Sequence, residues 1–464
     1  MKPIFTNDEL DLLARKVRRV LKSLGYCVRH DRLSEFLTRK GLKTSPSGRF
    51  RFDDRLIDEF VAWQSRRTRP GQAETWTRGQ PFRRSFGNIC PKYYDYAAQS
   101  AVSARTKHLI DLVKFAHQEP KIESVILPVA VVDVPAPTAP IESFLHMMRL
   151  TNKFSYWLDP YGDELVKYLV ELSAVFLGDG QADRFVDPCD CINPILRLED
   201  RTAGVMMERA KYNLHSLVTS MPTAGGTAPV TIDGAVIQGT AEIVGGLVIA
   251  WLLNPDAAHV GYISSSVMDF ASGNITQSSP ETVLIDCGVI QLMDHGFGGN
   301  TRYGGASFIS ARRPGLQAVF EKMFKAAAYH RITGTFWYAG NGNLDNGSLL
   351  SPEQLLIDLD IAESFHHVQP QQVETEPIED LIAQMAETEA SEFLTTDHTL
   401  ARFRAAFWQP ALFTRGDTRS ESQILEIAHQ RFRDTVNQYQ GYDGAPTRIK
   451  AVETILARAK NELL

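Results

Sequence analysis

From about residue 105 onward the apolar residues of this chain keep changing period, two-residue spacing giving way to helical spacing and back again. Strand-like runs fall at 125–132, 154–158, 184–187, 217–221, 259–263, 296–302, 332–338 and 392–395. Helical patterns separate them, at 141–150, 164–177, 199–212, 232–253, 281–293, 316–330 and 352–365 with 378–389. Strands interleaved with helices predict an α/β chain folded as a (β/α)8 TIM barrel. A doubly wound sheet fits less well, because no G-x-G-x-x-G opens the first crossover. The pattern alone does not separate eight strands from seven.

The flanks have a different texture. Residues 1–104 read as a mainly helical N-terminal extension and linker, with Leu10, Leu13, Val17, Val20 and Leu21 at helical spacing and Leu33, Phe36 and Leu37 on a second helix. A short strand is expected at 49–53, and the Arg-, Thr- and Gly-rich stretch 65–86 reads as a folded surface linker. Residues 105–440 then form the barrel, and 441–464 a C-terminal helix behind a turn.

Composition narrows the function. A net charge of -6 argues against a general nucleic-acid binder. The longest apolar stretch, 243–253, is interrupted by glycines and reads as a buried helix, so no membrane span is expected. The charged start has no secretory apolar region, which makes a cytoplasmic protein the expectation. Five cysteines, Cys27, Cys90, Cys189, Cys191 and Cys287, are too few and scattered for a disulfide framework. Cys189-Asp190-Cys191 invites a metal reading, but no second Cys or His pair stands at ligand spacing; separate thiols and no bound metal are expected.

In a barrel the reactive face is the C-terminal end of the strands. The residues there are Asp159, Asp190 and Asn193, Gly225, Gly226 and Thr227, Ser264 and Ser265, Tyr303, Tyr338 and Asn341, and Asp397 and His398. They contain no dense cationic cluster for a phosphate. The turn from Gly225 to Thr227 lets backbone approach a ligand closely, with Thr227 or Thr231 placed to cap the following helix.

That turn also carries a resemblance. Gly225-Gly226-Thr227-Ala228-Pro229-Val230-Thr231, followed by Gly234, Gln238, Ala241-Glu242 and Asn254-Pro255, resembles the trimethylamine and glycine betaine family of corrinoid-protein methyltransferases. Leu355-Leu356-Ile357-Asp358 behind Ser351-Pro352-Glu353-Gln354 is similar to the family's late-barrel helix. Asp397-His398-Thr399-Leu400 with Phe403-Arg404 and Trp408-Gln409-Pro410 is similar to its C-terminal signature. Weaker similarity reaches Leu24-Gly25-Tyr26 and Phe52-Asp53, so nearly the whole chain is covered.

The resemblance implies a barrel that moves one methyl from a small methylated amine to cobalt(I) of a corrinoid carried on a separate small protein, with no cofactor or cobalt held by this chain. Members acting on trimethylamine are credited with pyrrolysine, and every position here is one of the twenty common residues; the chain looks like the non-pyrrolysine branch, whose substrates include glycine betaine and other quaternary amines. A quaternary nitrogen leaves as a neutral amine and is best held by aromatic faces. Tyr262, Tyr303, Trp337 and Tyr338 are the candidates, beside Gly225, Gly226 and Thr227, with Arg312 or Arg302 for a substrate carboxylate and His398 as the catalytic polar contact. Gln238 and Glu242, a helical turn apart outside the barrel, suit packing or capping better than catalysis.

Departures from the family pattern lie near the mouth. Ile309-Ser310-Ala311-Arg312 stands where Ser-Asp-Ala-Lys is common, and Ala390 and Ser391 replace two glycines. Membership can therefore hold while the substrate differs. The rival readings are a metal-dependent barrel enzyme, which would need convergent His and acidic ligands, and a non-catalytic barrel that binds a quaternary amine. A homo-oligomer is left open.

Overall fold

The computed structural model describes residues 3–67, 84–305, 307–334, 340–367, 378–387, 393–416 and 418–464. One series of its strands pairs in parallel in chain order, apart from short antiparallel pairs such as 92–95 with 100–103. Strand β1 (Arg84–Phe86) pairs with β2 (Ile122–Val125). Single bridges carry the ladder from Val125 to Phe154 and from Leu158 to Val186. Strands β3 (Cys189–Ile192), β4 (Leu217–Ser220), β5 (Val260–Ile263) and β6 (Thr301–Tyr303) extend it, each hydrogen-bonded to the next. A helix fills every crossover. Parallel neighbours in chain order with helical returns form the wall of a (β/α)8 barrel. Among the described residues the ladder remains open between Tyr303 and Arg84.

Several expected strands move. The wall begins at Arg84, inside the stretch expected to be linker and ahead of residue 105. The run 184–187 contributes only a bridge at Val186, and the strand proper is Cys189–Ile192. Helix Pro280–Gly296 consumes the start of 296–302. Helix Leu316–Thr333 consumes the start of 332–338, and residues 335–339 lie outside the described set. The run 392–395 is no strand: Phe393–Thr395 is a 3-10 turn leading into helix Asp397–Ala406, and residue 392 also lies outside the described set.

The long helix Ile232–Leu253 explains the interrupted apolar stretch. It begins at Thr231, whose hydroxyl accepts the Gly234 N–H at 3.2 Å. By length and composition it could cross a membrane, yet 78% of its apolar window is buried inside the protein. Its glycines are contact points: a Cβ on Gly245 would come within 2.5 Å of the Tyr26 ring, and one on Gly246 within 2.5 Å of Val218. One face thus receives the N-terminal segment while another lies on the wall. Helix Asn7–Ser23, started by the Thr6 and Glu9 capping box, buries Leu10, Leu13, Val17 and Leu21 in the same core. At the other end of the chain, Val452, Ile455, Leu456 and Ala459 of helix Pro446–Leu463 pack among Phe144, Leu165 and Leu169.

Candidate functional site

Alternation along a strand decides which side chains line the lumen. Ile192, Val218 and Ile263 pack in the core with the long helix, and Tyr303 packs toward Phe324 and Tyr329. The alternate residues Cys189, Cys191, Thr219, Tyr262 and Arg302 therefore face inward. Strand register sets Cys191, Thr219, Tyr262 and Arg302 side by side in one row. Cys189 and Arg302 are exposed even though they face inward, so the lumen is open to solvent.

An acidic edge faces this row. Leu158 and Val186 are buried among the helices, which turns Asp159 and Asp187 the other way. Burial, then the charge of Asp187, pushes the Asp159 carboxyl up to about 6 against the opposing pull of Arg201 and Arg209. Asp187 accepts the Cys189 N–H at 2.9 Å.

The bridge from Leu158 to Val186 joins the segment of Asp159 to that of Cys191, from which the register runs through Thr219 and Tyr262 to Arg302. Asp159 and Arg302 thus both face inward, on segments of the parallel wall four pairings apart. Tyr262 is the strand neighbour of Arg302, its phenol held protonated by burial and by the charge of Asp286. Arg302 has no ion-pair partner among the described residues.

Buried acids on the outer helices hold the loops above this row. Glu242 accepts the Leu196 N–H at 3.1 Å, the Ser220 hydroxyl at 2.6 Å and the Gln238 carboxamide at 3.1 Å. Gln238 also donates to the Thr227 carbonyl at 2.9 Å, so the pair pins the glycine turn. Asp286 accepts the Ser265 N–H and the Tyr329 hydroxyl, and Glu321 accepts the Ser310 and Ala311 N–H groups. Asp358 takes the Gly342 N–H, with Lys322 and Gln354 completing its shell. Each acid satisfies loop donors that would otherwise be buried without a partner. Glu242 and Gln238 thus act as the sequence suggested, whereas the roles of Asp286 and Glu321 have no mark in the sequence beyond an acid on an apolar helix.

The other expected residues fall as follows. Gly225 turns at φ 80° beneath the Phe270 ring, and Thr227 accepts the Thr223 N–H at 3.1 Å, so the turn forms on the rim with Gly226. Tyr262 is in the row, but Tyr303 faces the helices, stacked on Tyr329 with centroids 4.5 Å apart. Trp337 and Tyr338 lie outside the described residues. Arg312 is exposed and bound to Asp345 at 3.2 Å and Asn274 at 3.0 Å, which leaves Arg302 as the lumen cation. His398 is half-buried on the first turn of helix Asp397–Ala406 instead of following a strand. Asp190 faces outward and pairs with buried Arg209. Cys189 and Cys191 are both free thiols, with their Sγ atoms 3.9 Å apart.

Comparison with known proteins covers the whole of this arrangement. The family model described as trimethylamine methyltransferase (MTTB) matches residues 1–463. A trimethylamine methyltransferase, MttB, of Methanosarcina barkeri is 26% identical over 376 residues, 77% of this chain and 74% of that protein. A glycine betaine methyltransferase of Desulfitobacterium hafniense strain Y51 is 24% identical over 288 residues, 60% of this chain and 59% of that protein. Among solved structures, the Methanosarcina barkeri monomethylamine methyltransferase MtmB superposes with a TM-score of 0.44 at 11% identity, covering 94% of this chain and 88% of that one. On the match that spans its length, the chain belongs to the trimethylamine methyltransferase (MTTB) family.

Proposed function

We propose that this methyltransferase takes a methyl from a quaternary amine bearing a carboxylate, glycine betaine or a relative, and passes it to cobalt(I) of a corrinoid on a separate small protein. The observation that supports the reading is an inward-facing acid, Asp159, on the same parallel wall as inward-facing Tyr262 and Arg302. An inward acid and a guanidinium with no ion-pair partner among the described residues suit a zwitterion: the ammonium toward Asp159 and Tyr262, the carboxylate toward Arg302. Holding both ends fixes which methyl points out of the barrel mouth, and orientation is most of what such a transfer needs from the protein. The corrinoid supplies the nucleophile. As it takes the methyl, the C–N bond breaks and nitrogen keeps the electron pair, leaving as a neutral tertiary amine with no proton donor required.

The test is methylation of a reduced corrinoid protein with glycine betaine, proline betaine, carnitine, choline and trimethylamine side by side. Betaines should react, choline should bind more weakly for want of a carboxylate, and trimethylamine should be inert. Arg302→Gln should raise the Kd of glycine betaine about 10- to 100-fold, the loss of a charge-assisted bond of ~1.5–3 kcal/mol, and leave choline nearly unchanged. Turnover of trimethylamine alone would refute the assignment.

A further inference from the structure

The lumen also holds two thiols that the proposed transfer does not use. Cys189 and Cys191 are two residues apart on β3, so both project from one face of the strand. Their Sγ atoms lie 3.9 Å apart, and the Thr219 hydroxyl is 3.3 Å from the Cys189 sulfur. Cys189 is exposed and Cys191 partly so, whereas Cys90 and Cys287 are buried. Two thiolates on one zinc-like ion, each at ~2.3 Å, stand about 3.8 Å apart at a tetrahedral angle. The observed spacing thus needs no movement of the strand.

We propose that Cys189 and Cys191 form a two-thiolate site for a thiophilic divalent cation of the zinc and cadmium class, inside the substrate lumen. Among the described residues no third His, Cys, Asp or Glu joins them to make a closed metal cluster. Water, with the Thr219 hydroxyl beside it, completes the coordination, the pattern of an open site. Binding replaces two S–H protons by one cation and releases both protons, so affinity rises with pH. Because Cys191 shares its row with Tyr262 and Arg302, a bound dication would repel and obstruct a quaternary ammonium; this consequence alone rests on the function proposed above.

Cadmium titration of the full-length protein tests the site, read by thiolate-to-metal charge-transfer absorption and by equilibrium binding. Wild type should take up one equivalent with that absorption. Cys189→Ser and Cys191→Ser should each weaken binding at least tenfold and lose the band, while Cys27→Ser should bind as wild type, all with unchanged thermal midpoints. No charge-transfer band in wild type, or equal affinity in both lumen variants, would overturn the proposal. A second titration follows glycine betaine binding with and without cadmium. Competition supports the shared lumen; simultaneous binding leaves the cation site standing and refutes the placement of the substrate.

Discussion

At the scale of single residues, Asp159 gives the lumen a pH dependence with a definite sign. Its carboxyl titrates at about 6, raised by burial and by Asp187. A quaternary ammonium is attracted to the ionised form alone, so binding should be strongest above that value and weaken as pH falls through it. A bound cation should in turn lower the carboxyl and release a proton near pH 6. Equilibrium titration with glycine betaine should show Kd rising several-fold between pH 7 and pH 5, and Asp159→Asn should raise Kd at pH 7.5 and flatten the profile. An unchanged profile in that variant would remove Asp159 from the site. His398 is a different case, since the structure sets it on a helical turn outside the lumen row. If the matched His-Thr-Leu motif reports a catalytic contact, His398→Ala should cut methyl transfer far more than it lowers the melting midpoint; near-normal turnover would class it as structural.

At the scale of elements, the helices do two things: they bury the wall, and their acids hold its loops in place. Glu242 is the clearest case, because three donors converge on it in the interior. Glu242→Ala would leave the Leu196 N–H and the Ser220 hydroxyl without partners, a loss of about 2–4 kcal/mol. Chemical denaturation should show it, and turnover should fall as the glycine turn loosens through Gln238. A variant as stable as wild type would mean that water replaces the carboxylate. The long helix, its Thr231 cap and the glycine turn were readable beforehand because each has a strong local cause: apolar content, a capping hydroxyl, a position needing positive φ. Strands β4 and β5 were readable too. Strand β1 was not, since Arg84, Ser85 and Phe86 are too short a run to show a period and sit in a polar stretch. Strand β3 was displaced because its inward residues are thiols and its outward Asp190 is neutralised by Arg209, so Cys-Asp-Cys-Ile has no apolar alternation. The expected strand at 332–338 overlaps the end of helix Leu316–Thr333, which Gly334 stops at φ 76°. Of the candidate site, Tyr262 and Asp159 were visible at strand ends. That Arg302 shares one row with Cys191, Thr219 and Tyr262 was not, because it arises from strand register, which leaves no local trace.

At the scale of the whole molecule, both flanks share cores with the barrel, so the chain should unfold as one unit. Residues of the first three helices lie in the same cluster as Ile192, Val218 and the long helix. The C-terminal helix closes a second cluster with Val452, Ile455, Leu456 and Ala459 against Ile141, Phe144 and Leu165. Its ion pairs, Arg149 with Glu453 and Lys167 with Glu462 among them, are exposed and contribute little. The apolar contacts matter more. Each fully buried Val, Ile or Leu is worth about 1.5–3 kcal/mol, and loss of three approaches the ~5–15 kcal/mol that holds a typical domain folded. Deleting residues 441–464 should therefore give an aggregating or severely destabilised protein, in place of a trimmed one. Ile455→Ala supplies the graded version: about 2–4 kcal/mol lost, with calorimetry still showing a single transition. A truncated chain that melts at the full-length midpoint would show that this helix is docked on a barrel complete without it.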